Sequence, residues 1–280
     1  MKFKIHILFF LLTLSSCKYS HDYKSLEKKL NTYLKSSEGE FAIVFKNLSD
    51  GKTILINENE EFHAASAMKT PVMIEVFRYV HEGAISLDDS ILVKNEFKSI
   101  ADGSSFRLSS FEDSDKKIYK EIGSFLSLRE LVIDMITLSS NFATNLVIDY
   151  IGSENINSTM RGLGANKINV LRGVEDIKAF NQGMNNTTTA LDLLNIYEKL
   201  AEGNVINSLA SEEMIEILKN QKYDDIIPKY LPKSIEVAHK DGWIKGVRHD
   251  SGIVFLDDNK KYILVLLSKN LEDEVKGAEL

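Results

Sequence analysis

The order of strand-like and helix-like segments constrains the fold of this chain most. "FAIVFKNLSDGKTILIN" is an apolar run, a Ser-Asp-Gly turn and a second apolar run, which predicts a β-hairpin near the start. Near the end, "IEVAHKDGWIKGVRHDSGIVFLDD" and "KYILVLLSK" predict three antiparallel strands with short turns. Helical periodicity fills the middle of the chain. This order predicts an α/β chain of the α+β type, with one antiparallel sheet built from both chain termini plus a helical lobe.

Four segments carry apolar residues at helical spacing: "YKSLEKKLNTYLKSS", "SLRELVIDMITL", "ATNLVIDYIG" and "TTTALDLLNIYEKLAEG", the last opening on a threonine cap. Further helices are predicted to fill residues 211–231. Another helix follows "HAASAM", and its apolar stripe predicts that it is buried in the core: Met68, Val72, Met73, Val76, Phe77 and Val80. Because proline is tolerated only near a helix start, Pro71 predicts that this helix begins close to Ser66.

The composition limits the classes of protein to which the chain can belong. Its 280 residues are 44% hydrophobic, enough for one domain of moderate size or two packed lobes. The net charge is −7, and an acidic domain has no obvious attraction for nucleic acid. The six histidines form no His-x-x-x-His pair, and no glycine-rich phosphate loop accompanies them, so we expect no metal and no cofactor. The charged stretch "FEDSDKKIYKE" is predicted to be a solvated loop or helix face.

The first 17 residues have the pattern of a secretory signal. "MKFKIHILFFLLTLSSC" has two lysines, a short apolar stretch and then small residues, and the apolar part is too short to span a bilayer. Its Leu-Ser-Ser-Cys ending resembles a bacterial lipobox, which implies lipidation of Cys17 and anchoring of residues 22–280 to a membrane of the cell envelope, on the periplasmic side. Cys17 is the only cysteine, so no internal disulfide or cysteine-based metal site is possible. The alternative is a simple cleaved signal with an incidental cysteine.

Ser66 and Lys69 open the buried helix three residues apart. The same Ser-x-x-Lys spacing occurs at Ser25, Ser49 and Ser114, so it indicates chemistry only in context. At i and i+3 the two side chains share a helix face, and a buried lysine near other cations has a lowered pKa, which lets it act as a base. The serine N–H at a helix start also favours developing negative charge. A nucleophilic serine with its base one turn away is therefore the prediction for Ser66 and Lys69.

Three motifs follow one another in the chain: Ser66-x-x-Lys69, Ser139-x-Asn141 and Lys240-Asp241-Gly242. In these motifs, and through "LSSNFATNLVIDYIG" and "VAHKDGWIKGVRHDSGIVF", the chain resembles the class A β-lactamases and their penicillin-binding relatives. The resemblance covers most of residues 22–275. It implies a β-lactamase/transpeptidase-like fold and a serine hydrolase that works through an acyl-enzyme.

The resemblance also implies roles for particular residues. The N–H of Trp243, next to Gly242, would complete the oxyanion hole, and Ser139 would pass a proton to the leaving nitrogen. Asn141 would hold the amide of the substrate side chain. Lys240 would supply positive potential, with Arg248 as a candidate for the substrate carboxylate. Glu175 matches the glutamate that activates water for deacylation. The alternative for each of these residues is a structural role. Ser66, Ser139 and Asn141 would be cap or loop polar groups, Lys69, Lys240 and Glu175 ordinary charges, and Arg248 a surface or salt-bridge residue. His239 and His249 are predicted to shape the strand edge.

The chain departs from the family pattern at several positions. Ser140 replaces an acid in the second motif. Asp241 replaces a hydroxyl residue in the third, which predicts either weaker binding of anionic β-lactams or a different choice of substrate. Arg172 and Asn186 match an arginine–aspartate pair at the neck of the loop, so that ion pair is expected to be absent. The asparagine expected four residues after Glu175 is Ala179, and Asn181 is a possible substitute. The family's long C-terminal helix, which covers the sheet, is also not recognisable.

We therefore predict a serine β-lactamase-type hydrolase acting on a small-molecule β-lactam or peptidoglycan-like substrate, as a monomer. The enzyme alternative is a D-Ala-D-Ala peptidase or another amidase or esterase on the same fold. A non-catalytic penicillin-binding sensor or envelope-binding lipoprotein is a third possibility, motivated by Asp241.

Overall fold

The computed structural model describes residues 23–256, 260–273 and 277. The predicted signal segment, including Cys17, lies outside the described residues. A five-stranded antiparallel sheet has the order β2-β1-β11-β10-β9. Its strands are β1 (Glu40–Asn47), β2 (Thr53–Ile56), β9 (Glu236–Ile244), β10 (Val247–Phe255) and β11 (Lys261–Lys269). The sheet is thus built from both ends of the chain, and the predicted fold class is confirmed.

The pairing of β1 with β11 joins the two ends of the chain. Their register runs from Glu40 opposite Lys269 to Asn47 opposite Tyr262. Ala42 and Val44 of β1 are completely buried, because their face of the sheet packs on the helices. Alternation of buried and exposed residues along a strand is what fixes such a register, since a slip of one residue would turn the apolar set toward water.

The helices form the rest of the core. They are α1 (residues 23–35), α2 (Lys69–His81), α3 (Leu128–Thr137), α4 (Asn141–Ile151), α5 (Ile156–Gly162), α6 (Ile177–Asn181), α7 (Ala190–Ala201) and α8 (Ser208–Lys219). Short 3₁₀ turns span Ala65–Met68, Ile118–Glu121 and Pro228–Tyr230. Among the described residues, no helix is both long enough and apolar enough to cross a membrane.

Helix α2 is the central helix of the core, as its apolar stripe predicts. Met68, Val72, Met73 and Val76 are completely buried, and Val80 is partly buried at the end of the helix. Pro71 lies in the first turn of α2, where a proline is tolerated. The 3₁₀ turn before α2 therefore carries Ser66 at the point where the chain enters the core.

The prediction that helices fill residues 211–231 is wrong for part of that range. Helix α8 ends at Lys219, and residues 220–227 are not helical. The Gln221 side chain donates to the Ile136 carbonyl at 2.9 Å and accepts from Lys222 N. The N–H of Ile227 donates to the Asp250 carboxylate at 3.0 Å. Tertiary polar partners thus replace the helical hydrogen bonds of this segment.

Among the described residues, three two-stranded ribbons lie outside the main sheet. They pair β3 (Phe62–His63) with β8 (Thr187–Thr188), β4 (Ser90–Leu92) with β7 (Phe125–Ser127), and β5 (Phe97–Lys98) with β6 (Ser105–Phe106). With only two or three residues each, these strands are too short to carry a periodic signal. The β3–β8 ribbon is important for the site, because it holds the end of the loop 171–186 beside the segment that leads into Ser66.

Candidate active site

Ser66 lies in the 3₁₀ turn between β3 and α2, partly exposed at the edge of a cavity of about 290 Å³. Ala65 before it has a φ of 45°, an unfavourable value for a residue with a side chain. The N–H of Ala65 donates to Nδ1 of His63 at 3.0 Å. Strained backbone of this kind persists only where the surrounding structure holds it, and it is concentrated at functional sites.

Lys69 is completely buried, which excludes its alternative role as a solvated charge. Its ammonium donates to the Ser139 carbonyl at 2.6 Å, to Asn141 Oδ1 at 3.0 Å and to Ser139 Oγ at 3.4 Å. Burial and the positive charge of Lys240 lower the pKa of Lys69 to about 7. Within the described residues, the Lys69 ammonium donates to Ser139 and Asn141 rather than to the Ser66 hydroxyl. A lysine in this state is half neutral near pH 7 and available as a base.

The second motif lies at the start of α4. Ser140 is the N-cap, with its Oγ accepting from Ala143 N at 3.2 Å, so the capping role belongs to Ser140 and not to its neighbours. Ser139 has a φ of 54°, and Asn141 is the first helical residue. Asn141 Nδ2 donates to Glu175 Oε1 at 2.7 Å, while its Oδ1 accepts from Lys69. The Asn141 side chain therefore bridges the two candidate bases of the site.

Glu175 lines the same cavity as Ser66 and is partly buried, in contrast to a solvated loop acid. Its φ is 61°, which makes it the third residue of the site with a positive φ, after Ala65 and Ser139. Burial, followed by the negative charges of Asp113 and Glu112, raises the pKa of Glu175 against the lowering effects of Asn141 and Lys69. Its neighbour Asp176 is buried and structural, accepting from Ser99 Oγ at 2.8 Å and from Ile100 N at 2.9 Å.

The neck of the loop 171–186 has no arginine–aspartate pair, as expected. Asn186 Nδ2 donates to the Arg172 carbonyl at 2.9 Å, and its Oδ1 accepts from Leu171 N at 2.8 Å. The Arg172 guanidinium donates to the carbonyls of Met184 and Gly173, both at 2.9 Å. Hydrogen bonds of the Asn186 amide and the Arg172 guanidinium with backbone groups thus close the neck in place of an arginine–aspartate pair.

Two buried residues that the sequence analysis missed hold the site in place. Asn145 of α4 accepts from Val174 N at 2.7 Å and donates to the Val174 carbonyl at 2.9 Å, next to Glu175. The Asp113 carboxylate accepts from Asn141 N at 3.0 Å and from Phe142 N at 2.8 Å. Asp113 thus supplies a buried acid near the position where Ser140 replaces one.

The prediction of a solvated surface for "FEDSDKKIYKE" is therefore wrong for part of that stretch. Asp113 and Asp115 are both buried. Tyr119 Oη donates to Asp113 Oδ2 at 3.0 Å. Charged stretches usually face water, and only the tertiary fold reveals that these two carboxylates turn inward.

The asparagine expected four residues after Glu175 is Ala179 in this chain, and the suggested substitute, Asn181, does not line the cavity. Ala179 is buried in α6, and Asn181 is exposed at the end of that helix. The loop therefore carries Glu175 without the expected asparagine beside it.

Strand β9 runs directly beside Ser66. A Cβ added to Gly242 would lie 3.2 Å from Ser66 N and 3.3 Å from Ala65 Cβ, so a side chain here would require the strand or the turn to shift by a few tenths of an ångström. Trp243 follows, opposite Arg248 in the register, and its side chain is exposed. The arrangement brings the backbone of β9 to the side of the Ser66 turn where two N–H groups would form an oxyanion hole.

Both cations on this side of the site have acidic partners. Lys240 is completely buried, and its ammonium contacts Asp241 Oδ1 at 2.5 Å. Burial raises the pKa of Asp241, but the charge and hydrogen bond of Lys240 outweigh it, so the pKa is lowered overall. Arg248 forms an ion pair with Asp225 and lies 5.8 Å from the centre of the Trp243 ring.

The histidines of the sheet make structural contacts. His239 is paired with Asp250 at 2.8 Å in the interior, and His249 Nε2 contacts the His63 carbonyl at 2.9 Å. Ser268 N donates to His249 Nδ1, which leaves the proton of His249 on Nε2. Both residues thus hold the sheet together around the site. Within the described ranges, no group of three or more histidine, cysteine or acidic side chains could hold a metal ion.

Comparison with known proteins places this geometry in context. A model of the Beta-lactamase enzyme family matches residues 25–280. β-Lactamase BRO-1 of Moraxella catarrhalis is 24% identical over 261 residues, covering 89% of this chain and 78% of that protein.

Solved structures share the fold at lower identity. A β-lactamase from Xanthomonas campestris pv. campestris superposes with a TM-score of 0.79 at 20% identity, covering 92% of this chain and 93% of that one. PBP-A superposes with a TM-score of 0.78 at 22% identity, covering 91% of each chain. A variant of PBP-A has been solved as an acyl-enzyme complex with penicillin-G.

Proposed function

The chain belongs to the Beta-lactamase enzyme family, and from that premise we propose that it is a serine hydrolase that opens β-lactam rings through an acyl-enzyme on Ser66. One observation supports the proposal most: Asn141 links Lys69 to Glu175 at 3.0 Å and 2.7 Å beside the Ser66 cavity. One candidate base for acylation and one for deacylation are thereby held together, as a two-step hydrolysis requires.

In the acylation step, neutral Lys69 takes the hydroxyl proton of Ser66 as Oγ attacks the carbonyl carbon of the lactam. The N–H groups of Ser66 and Trp243 stabilise the negative oxygen that develops. The bond between the carbonyl carbon and the ring nitrogen then breaks, and the nitrogen receives a proton through Ser139. The product is an ester on Ser66. The 3.4 Å separation of Ser139 Oγ from Lys69 Nζ supports this proton route.

In the deacylation step, ionised Glu175 takes a proton from water, which attacks the ester carbonyl. The bond to Ser66 Oγ breaks, Ser66 recovers its proton, and the opened product leaves as an acid. This use of a glutamate on the loop is the class A mechanism, and we extend it to this chain as a proposal. The partly buried, cavity-lining position of Glu175 supports it.

Intact-mass analysis after mixing with benzylpenicillin tests the nucleophile. The wild type should show a transient adduct and turn over a chromogenic cephalosporin, whereas Ser66→Ala should do neither. Ser49→Ala is the matched control, because Ser49 has the same Ser-x-x-Lys spacing in an exposed turn. An adduct on Ser66→Ala would show that another residue is the nucleophile.

A peptidase or penicillin-binding sensor is the second candidate. The altered neck around Asn186 and the Asp241 carboxylate beside Lys240 favour it, as does the structural similarity to PBP-A. Such a protein would acylate Ser66 but release the product slowly. A wild-type adduct that persists for hours, without turnover of the cephalosporin, would favour this candidate.

We also propose that the protein is an exported, monomeric lipoprotein anchored at Cys17 to a membrane of the cell envelope, facing the periplasm. The lipobox-like ending of the first 17 residues supports the anchor. Cell fractionation of Cys17→Ser should move the protein from the membrane to the soluble fraction, and light scattering of residues 22–280 should give the monomer mass.

A further inference from the structure

The two cations nearest the expected position of a substrate carboxylate are already paired within this chain. The Lys240 ammonium donates to Asp241 Oδ1 at 2.5 Å and to the Asp241 carbonyl at 3.1 Å. The Arg248 guanidinium donates to the Asp225 carboxylate. Each of the two positive charges is therefore matched by one negative charge, and their sum is zero.

The two ion pairs differ in how accessible they are. Lys240 and Asp241 are both buried, so neither charge can be hydrated separately and the pair stays together. The Arg248 side chain is 13% exposed and that of Asp225 is 51% exposed, which places this pair at the rim. The Trp243 ring lies beside the Arg248 guanidinium at 5.8 Å. An incoming carboxylate must therefore displace Asp225 from Arg248 and approach Asp241 as well.

We propose that Asp225 and Asp241 are specificity-determining residues, which cancel the positive charge of Lys240 and Arg248 so that Ser66 is acylated by neutral amide or ester substrates in preference to carboxylate substrates. This inference rests on the proposed acyl transfer to Ser66. Like charges in such close positions disfavour a second anion, whereas a neutral substrate meets no such repulsion. Asp225 is the more informative of the two, because no local motif marks it and the fold alone brings it to Arg248.

The test compares benzylpenicillin with its methyl ester, which lacks the negative charge. The wild type should be acylated by the ester at least as efficiently as by the acid. In Asp225→Asn, the ratio of kcat/KM for the acid to kcat/KM for the ester should rise about three- to tenfold, the effect of freeing one partly exposed charge. Asp224→Asn is the matched control, since Asp224 is a neighbouring exposed acid, and it should leave the ratio within about twofold.

Asp241→Thr provides the second variant, because threonine removes the charge and supplies a hydroxyl. The ratio should rise in this variant as well, by about tenfold or more for the buried pair. An unchanged or lower ratio in both Asp225→Asn and Asp241→Thr overturns the inference. If Ser66 is acylated by neither compound, the proposed function itself fails, so the two failures are distinguishable.

Discussion

Lys69 is the residue on which the chemistry of the site depends most. A lysine in water would be protonated at neutral pH, but burial and Lys240 lower the pKa of Lys69 to about 7. Asp113, Asp241 and Glu175 oppose that shift, so the value reflects a balance of named neighbours. Burial and the charge of Lys240 therefore explain why Lys69 can be a candidate base.

The acylation rate should depend on pH through Lys69. Only the neutral amine accepts a proton, so the rate should rise as pH increases through about 7 and fall about tenfold per unit well below it. Lys69→Ala should slow acylation by about two to four orders of magnitude. Stopped-flow acylation with benzylpenicillin from pH 5 to 9 measures both. An unchanged rate in Lys69→Ala would assign the base to another group, such as Glu175 acting through water.

Asp113 should tune that dependence without contacting the substrate. It is a positioning residue, holding Asn141 N and Phe142 N, and its charge raises the pKa of Lys69. Asp113→Asn removes the charge, so the acidic limb of the acylation profile should move down by about half to one pH unit. Tyr119→Phe, which removes a hydrogen bond to Asp113 but no charge, should leave the limb in place. A limb at the same pH in both variants would reduce Asp113 to a purely structural role.

At the scale of elements, α4 and the loop 171–186 act as one unit. The start of α4 presents Asn141 to Lys69 and Glu175, and Asn145 one turn later holds Val174 by two hydrogen bonds. The backbone pairing of Asn169 with Thr187 and the side chain of Asn186 close the loop at its neck. The loop therefore keeps its position with no ion pair at that neck.

Asn145→Ala should release the loop 171–186 from α4. It leaves the N–H and carbonyl of Val174 without their partner, at a cost of about 1–3 kcal/mol in the free energy of unfolding. Deacylation should slow more than acylation, because Glu175 is on the released loop while Lys69 is not. Urea unfolding and the separated rate constants measure this, with Asn181→Ala as the control at an exposed asparagine. A larger effect on deacylation from Asn181→Ala would restore the role first considered for Asn181.

At the scale of the whole molecule, the sheet and the helical lobe meet at Ser66. Strand β9 approaches the 3₁₀ turn so closely that a Cβ on Gly242 would lie only 3.2 Å from Ser66 N. Gly242→Ala should push the strand from Ser66 by a few tenths of an ångström and lower kcat/KM for every substrate by about tenfold or more, since it displaces an oxyanion donor. Gly162→Ala, a helical glycine with open space around it, is the control. Wild-type kinetics in Gly242→Ala would argue against an oxyanion hole at this contact.

The whole-molecule architecture was predictable because long periodic segments dominate it. The hairpin of β1 and β2, the three strands at the other end and the burial of α2 all follow from apolar spacing. The short ribbons and the end of α8 were not predictable, since two-residue strands have no period and Gln221 finds its partner on a distant helix.

The candidate site was predictable only where a motif is local. Ser66 and Lys69 are three residues apart in the sequence, and Lys240 and Gly242 are two apart. Asp113 and Asp225 come from segments with no motif, and tertiary packing alone brings them to Asn141 and Arg248. The charges of Asp113 and Asp225 are expected to affect the pH dependence of acylation and the choice of substrate. These two properties could therefore be predicted only from the structure.

Time-resolved intact-mass analysis of Glu175→Gln with benzylpenicillin tests whether Glu175 hydrolyses a Ser66 acyl-enzyme. Glutamine keeps the shape of the side chain but cannot take a proton from water. Wild type should return to its free mass as the substrate is consumed, whereas Glu175→Gln should remain in the penicilloyl form on Ser66. If the wild type already accumulates that form and Glu175→Gln releases it at the same rate, Glu175 is not the deacylating base and the account of a β-lactamase is contradicted.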